Sequence, residues 1–169
     1  TAEPTAMVEP TGGAGRVHGW LAPGRPIDAF KTTPAAYENR YRYRSKASDR
    51  LQLSVVLNDI EMSDERQAVS EIYRAADLPM EVSVSDQLTT AALAEVFESE
   101  NDFVHFIGHC EEDGLCCPDG TLSMGSLSAS RTQTFFLNAC GSYKQGLALI
   151  EQGSVAGAVT FADVLDSHA

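Results

Sequence analysis

Five segments rich in β-branched and aromatic residues alternate along residues 51–161 with segments whose apolar residues recur at helical spacing. This alternation restricts the fold more than any other feature, because parallel strands need long crossovers, which are usually helices. The sequence therefore predicts an α/β protein with a doubly wound, mostly parallel sheet and helices on both faces. The predicted strands are residues 51–57, 80–84, 103–107, 134–137 and 155–161.

Local signals predict where the helices between these strands begin and end. Ser63 followed by two acidic residues is typical of a helix start, and Pro79 closes that helix. Thr89 or Thr90 caps a second helix, and Gly153 ends a third. Residues 111–131 lack periodicity and are predicted to form a long loop or a small hairpin. The apolar faces of the second and third helices are predicted to be Leu93, Val96 and Phe97, and Tyr143, Leu147 and Ile150.

The first 50 residues differ in composition from the rest. Residues 1–15 are rich in Pro and Gly and bury little, so we expect a flexible lead-in. Residues 41–44 alternate Tyr and Arg, which predicts a short solvated edge strand, or alternatively a basic face that docks onto the acidic remainder. The chain has 169 residues, enough for one full core. We therefore predict a flexible, basic N-terminal segment over 1–50 and one α/β domain over 51–169.

The charge of the chain excludes some classes of function. The net charge is −12, which argues against nucleic-acid phosphates and anionic membranes as partners. Residues 1–50 hold eight Lys or Arg against five Asp or Glu, so the acidity belongs to residues 51–169. The chain has three lysines and nine arginines, a composition that suggests a high-salt cytoplasm as its source. No transmembrane run or signal peptide is visible, so we expect a cytoplasmic protein.

Two reactive residues follow predicted strands at the edge where doubly wound sheets place their sites. His109 lies two residues past the third strand, and Cys140 lies three past the fourth. If these strands are neighbours, the two side chains converge. A thiol becomes a nucleophile when a nearby base takes its proton, and an imidazole within hydrogen-bond reach serves as that base.

Three motifs resemble the CHAT domains, which belong to the caspase, separase and gingipain clan of cysteine endopeptidases. The first, residues 104–109, reads Val-His-Phe-Ile-Gly-His, and the second, residues 136–141, reads Phe-Leu-Asn-Ala-Cys-Gly. The third is the glycine-bearing fifth strand, residues 153–159, Gly-Ser-Val-Ala-Gly-Ala-Val. They stand in the order of the family on the expected elements, and the resemblance covers roughly residues 51–166.

The resemblance implies a caspase-like fold and a His109–Cys140 dyad that hydrolyses peptide bonds in a peptide or protein substrate, without metal or organic cofactor. Backbone N–H groups of Cys110 and Cys140 would hold the oxyanion. The family usually has Gly where Cys110 stands. Family members continue past the fifth strand and often carry regulatory domains, so we expect a domain truncated at its C-terminus and missing those partners. Candidate pocket residues are Asn138, Asp163 and Asp166.

Two different functions are also compatible with these residues. The fold can serve as a catalytically silent interaction or regulatory module. His109 with Cys110, Cys116 and Cys117 offers zinc ligands, although the spacing lacks the usual Cys-x2-Cys pair. His105 shares a strand face with Ile107 and is predicted to be a satisfied core histidine.

Overall fold

The computed structural model describes residues 33–43, 49–59, 71–73 and 78–160. These ranges fall within one compact unit, Ala35–Ala169, except for residues 33 and 34. The predicted lead-in, most of the first predicted helix, Asp163 and Asp166 lie outside the described residues. Among the described residues, no helix has the length and apolar character needed to cross a bilayer.

Five parallel strands form the central sheet, and the doubly wound α/β fold predicted from the alternation is confirmed. The strands are β1 Leu51–Leu57, β2 Met80–Asp86, β3 Asn101–Ile107, β7 Thr132–Asn138 and β8 Ala156–Val159. Their order across the sheet is β2-β1-β3-β7-β8. The chain thus adds β2 on one side of β1 and then places β3, β7 and β8 on the other side. This reversal makes the carboxyl edge near β1 and β3 the topological switch point.

Residues 110–126 form a small antiparallel unit instead of an unstructured loop. It consists of β4 Cys110–Glu111, β5 Gly114–Cys117 and β6 Gly120–Leu122, in the order β4-β5-β6, followed by a short 3-10 helix at Met124–Ser126. The unit is anchored because Leu115, Leu122 and Met124 are buried in the main core. The prediction of a small hairpin in this region was therefore close to the observed structure.

Helical residues cover both faces of the sheet. On one face, helix α2, Thr90–Glu98, and helix α3, Tyr143–Gln152, pack with Val56, Val104, Phe106, Phe135 and Leu137. On the other face, Tyr73 packs with Val55, Leu57 and Ile107. The predicted cap of α2 is Thr89, whose hydroxyl accepts a hydrogen bond from the Ala92 N–H at 3.3 Å.

The edge strand predicted at residues 41–44 is wrong, because Pro34–Tyr43 is a helix, α1. Pro34 is the first helical residue, a position where its fixed φ and missing N–H cost nothing. The buried residues are Ala36 and Asn39, at the i, i+3 spacing of one helix face. The Asn39 amide donates to the carbonyls of Ile150 (2.6 Å) and Ser154 (2.9 Å), which holds α1 against the end of α3.

The predicted apolar face of α3 is wrong at two of its three residues, although the third, Ile150, packs against the core. Tyr143 and Leu147 are exposed, whereas Gln145, Gly146 and Leu149 are buried. Gly146 faces the sheet, because a Cβ there would lie 2.4 Å from Val159 Cγ1. The smallest side chain thus marks the closest approach of α3 to the sheet, a signal that hydrophobic periodicity does not carry.

Candidate active site

Three neighbouring strands end in the same row at the carboxyl edge of the sheet. Leu57 of β1 is paired with Ile107 of β3, which in turn is paired with Asn138 of β7. The pairing continues past the strands, because the Gly108 N–H donates to the Asn138 carbonyl at 3.2 Å. Neighbouring strands lie about 4.8 Å apart. Residues that follow these three strand ends by the same number of positions therefore emerge from neighbouring strands.

Asp59, His109 and Cys140 each stand two residues beyond this row, in the order Asp, His, Cys across the edge. The structure therefore brings the backbones of the two predicted catalytic residues to adjacent positions. It also adds an acidic residue on the opposite side of His109 from Cys140. Asp59 was not among the residues predicted from the sequence.

The imidazole of His109 contacts the carboxylate of Asp59. His109 Nε2 lies 2.7 Å from Asp59 Oδ2, the distance of a short charge-assisted hydrogen bond. The two side chains differ in exposure, since that of His109 is 69% exposed and that of Asp59 only 11%. The carboxylate is thus the fixed partner, and the histidine ring reaches to it from the surface.

Asn58 fixes the backbone next to Asp59. Its N–H donates to the Ile107 carbonyl at 2.9 Å, which extends the β1–β3 pairing by one residue. Its side-chain oxygen accepts from the Leu88 N–H at 2.8 Å, and its amide donates to the carbonyls of Leu88 (3.0 Å) and Cys116 (3.3 Å). Asn58 therefore ties the end of β1 to both the β2–α2 connection and β5.

The backbone of His109 is held from the other side by β5. The Cys116 N–H donates to the His109 carbonyl at 2.9 Å. Because Asn58 also bonds to the Cys116 carbonyl, the segments that carry Asp59 and His109 share one support. The short antiparallel unit thus positions the histidine as well as filling the core.

Cys140 lies in the turn that joins β7 to α3. Gly141 follows with φ of 68°, in the left-handed region that favours glycine, although a Cβ there would meet no described atom within 4 Å. The buried Ser142 hydroxyl donates to the Leu137 carbonyl at 3.1 Å and accepts from the Thr160 N–H at 3.2 Å. This turn is therefore anchored to both β7 and the end of β8.

A surface cavity of about 400 Å³ opens beside Cys140. Cys110 also lines it, so this cavity adjoins both the predicted nucleophile, Cys140, and the residue after His109. Its rim is charged, with Lys144 Nζ 3.8 Å from Glu112 Oε1 and both side chains well exposed. The lining residues are Cys110, Glu111, Glu112, Cys140, Gly141, Tyr143, Lys144 and Gln145.

The three other cysteines are poor nucleophiles. Burial raises the pKa of Cys110 to about 11 and that of Cys117 to about 11, with smaller contributions from nearby acidic groups and from Cys116. Burial also raises the pKa of Cys116. A high pKa leaves little thiolate near neutral pH. Among the described residues, no cluster of three or more His, Cys, Asp or Glu side chains has an arrangement that could hold a metal ion.

Asn138 and His105 have structural surroundings distinct from the cavity. Asn138 is the last residue of β7, and its carbonyl accepts a hydrogen bond from the Gly108 N–H.

His105 is buried in the core as predicted, where it stacks on Phe136 with ring centroids 4.7 Å apart. Its Nδ1 lies 3.2 Å from the Tyr73 hydroxyl, but its Nε2 has no hydrogen-bond partner in the described part of the chain. The prediction of a core histidine is therefore right about its burial and wrong about its being satisfied. Burial lowers the pKa of His105 to about 4.

The position of Asp59 carries the one signal that could have identified it from the sequence. It stands two residues past a strand, as His109 does, but the strand order is needed to know that β1 is the neighbour of β3.

No known protein-family model matches the chain, and no curated protein sequence matches it significantly.

Proposed function

We propose that this domain is a cysteine endopeptidase of the caspase and CHAT type, with Cys140 as nucleophile and His109 as general acid and base. The observation that carries the proposal is the common offset of His109 and Cys140 beyond paired residues of β3 and β7, beside a cavity that Cys140 lines. This edge of a doubly wound sheet is where such folds bind their ligands.

The proposed reaction proceeds through an acyl-enzyme. Cys140 Sγ gives its proton to His109 and attacks the carbonyl carbon of the scissile peptide bond. His109 then donates that proton to the leaving amine, and the acyl group remains on Cys140 as a thioester. Water, deprotonated by His109, hydrolyses the thioester and restores the thiol. The chemistry needs no metal or organic cofactor.

Backbone N–H groups of Cys110 and Cys140 are the proposed oxyanion donors. The strand pairing supports the first of these. Because the Cys116 N–H bonds to the His109 carbonyl, the next pair, Cys110 and Leu115, occupies a non-hydrogen-bonded position of the antiparallel ladder. The Cys110 N–H then points away from β5.

A cytoplasmic location is part of the proposal. The four cysteines, all within the described residues, form no disulfide, which suits a reducing compartment. The proposed substrate is a peptide or protein segment that enters the cavity beside Cys140, whose walls combine the Tyr143 ring with charged side chains. Asp163 and Asp166, beyond the described residues, remain proposed pocket residues, whereas Asn138 does not line this cavity.

Hydrolysis of a fluorogenic peptide library tests the proposal. We expect the wild-type chain to cleave a subset of the library, Cys140→Ala to lose at least on the order of 10⁴-fold in kcat/KM, and His109→Ala to lose on the order of 100-fold or more. Cys116→Ser is the matched control, because it removes a thiol outside the cavity, and it should retain wild-type activity.

Two results would contradict the proposal. One is cleavage that survives in Cys140→Ala, which would trace the activity to a contaminant. The other is absence of cleavage by a folded chain whose Cys140 also fails to react faster than a free thiol. The second result would identify the domain as a silent interaction module instead.

A further inference from the structure

We propose that Asp59 is a positioning residue that orients His109 toward Cys140. The inference rests on the proposed peptidase function, which it extends from two residues to three. Asp59 acts through His109 and not on the substrate itself. The starting observation is the 2.7 Å contact between Asp59 Oδ2 and His109 Nε2, together with the Asp59, His109, Cys140 order across the sheet edge.

The contact determines which ring nitrogen carries the proton. An ionised carboxylate accepts hydrogen bonds and cannot donate them, so His109 Nε2 must hold the hydrogen of this bond. In the neutral ring, Nδ1 then carries the lone pair that takes a proton. Asp59 thus selects the tautomer in which Nδ1 is the base for the Cys140 thiol.

The difference in exposure explains why the ring needs a partner. With 69% of its side chain exposed, His109 is not held by packing, and in isolation its ring would sample several rotamers. Asp59 is 11% exposed, and the preceding residue, Asn58, makes five hydrogen bonds to three other segments. A mostly buried carboxylate on a braced backbone is a suitable anchor for an exposed ring.

Asp59 also stabilises the charge that forms during the reaction. When the proton moves from Cys140 Sγ to His109 Nδ1, the thiol becomes a thiolate and the ring becomes an imidazolium. The Nε2 hydrogen stays on the ring, so Asp59 remains a carboxylate and faces the new positive charge at hydrogen-bond distance. The Nδ1 proton later leaves with the amine product, and the ring returns to its starting tautomer.

Two readouts test the inference in full-length Asp59→Ala and Asp59→Asn variants. The first is the ¹⁵N NMR signature of the His109 ring nitrogens above neutral pH, assigned by comparison with His109→Gln. The second is the rate at which iodoacetamide alkylates Cys140, mapped by mass spectrometry. Asp59→Asn is nearly isosteric and serves if Asp59→Ala fails to fold. Asp86→Ala is the matched control, because Asp86 ends β2 in register with Leu57 and carries the same charge at the same sheet edge.

In the wild type we expect Nε2 to be protonated and Nδ1 to be unprotonated, and in Asp59→Ala we expect a mixture of the two tautomers. Cys140 alkylation should fall on the order of fivefold in Asp59→Ala, less than in His109→Ala, and kcat should fall on the order of 100-fold with little change in KM, as expected for lost orientation. Asp86→Ala should match the wild type in both readouts.

The inference is overturned if Asp59→Ala keeps the wild-type tautomer, or if its Cys140 reacts within twofold of the wild-type rate. The tautomer readout does not depend on peptide cleavage. A fixed tautomer that is lost in Asp59→Ala therefore supports the positioning role even if the library contains no substrate. If, in addition, the wild-type Cys140 reacts no faster than a free thiol, only the peptidase assignment fails.

Discussion

Acidification should destabilise the fold through one buried side chain, His105. Burial lowers the pKa of His105 to about 4, from 6.5 in an exposed histidine. The unfolded chain therefore binds a proton near pH 6.5, whereas the folded chain resists protonation until about pH 4. The stabilisation is fully present above pH 6.5 and is lost as the pH falls from 6.5 toward 4.

The size of this effect follows from the two pKa values. Each pKa unit corresponds to about 1.4 kcal/mol, so the complete loss is about 3 kcal/mol below pH 4. At pH 5 the unfolded histidine is almost fully protonated and the folded one is mostly neutral, which gives a loss of about 2 kcal/mol relative to pH 8. This is a sizeable fraction of the stability of an ordinary domain.

His105→Phe is the variant that isolates the effect. Phenylalanine keeps a flat ring against Phe136 and removes the buried Nε2, which lacks a partner among the described residues. Other groups titrate in both proteins, so the difference between them reports His105 alone. Urea unfolding followed by circular dichroism at pH 8, 6.5 and 5 measures it. The wild type should lose about 2 kcal/mol more than His105→Phe between pH 8 and pH 5. Equal losses in the two proteins would refute the reasoning.

Three further predictions concern packing and thiol reactivity. Gly157→Ala should lower the free energy of unfolding, measured by urea as above, by about 1–3 kcal/mol, because the added Cβ would lie 2.1 Å from the Phe135 ring. Gly125→Ala is the control and should leave the free energy of unfolding nearly unchanged, because its Cβ would meet only Ser123 Oγ, at 3.6 Å. Asn39→Ala should lower the free energy of unfolding by about 1–3 kcal/mol, because it removes the side-chain donor to the carbonyls of Ser154 and Ile150. Limited proteolysis should then cut within α1 sooner than in the wild type. At pH 8, Cys110, with a pKa of about 11, is about one part in a thousand thiolate. Iodoacetamide should therefore modify Cys140 well before Cys110, and a reversed order in the mass spectrum would contradict this.

The inner strands β1 and β3 were predictable because they combine β-forming residues with burial on both faces. Residues 103–107 show this most clearly, since they form an apolar run between charged and glycine residues and lie at the centre of the sheet. The positions of His109 and Cys140 after such strands followed directly. Their offsets beyond the strand ends needed only the strand boundaries, which local sequence largely determines.

The remaining features depend on contacts between distant segments. The Tyr and Arg alternation at residues 41–44 has the period of a strand, but Asn39 makes its bonds to residues 111 and 115 positions away, at the end of α3 and just beyond it. The buried face of α3 is centred on Gly146, whose lack of a side chain is itself the packing requirement. Asp59 joins the site only because β1 lies beside β3, and strand order is not encoded in any one segment.

The reactivity of Cys140 toward iodoacetamide at pH 7, compared between wild type and His109→Ala, tests the catalytic assignment most directly. If His109 is the base for Cys140, the wild-type thiol should be alkylated on the order of tenfold faster than glutathione, and His109→Ala should abolish that advantage. A wild-type rate equal to that of glutathione, or a fast rate that His109→Ala leaves unchanged, would contradict the assignment.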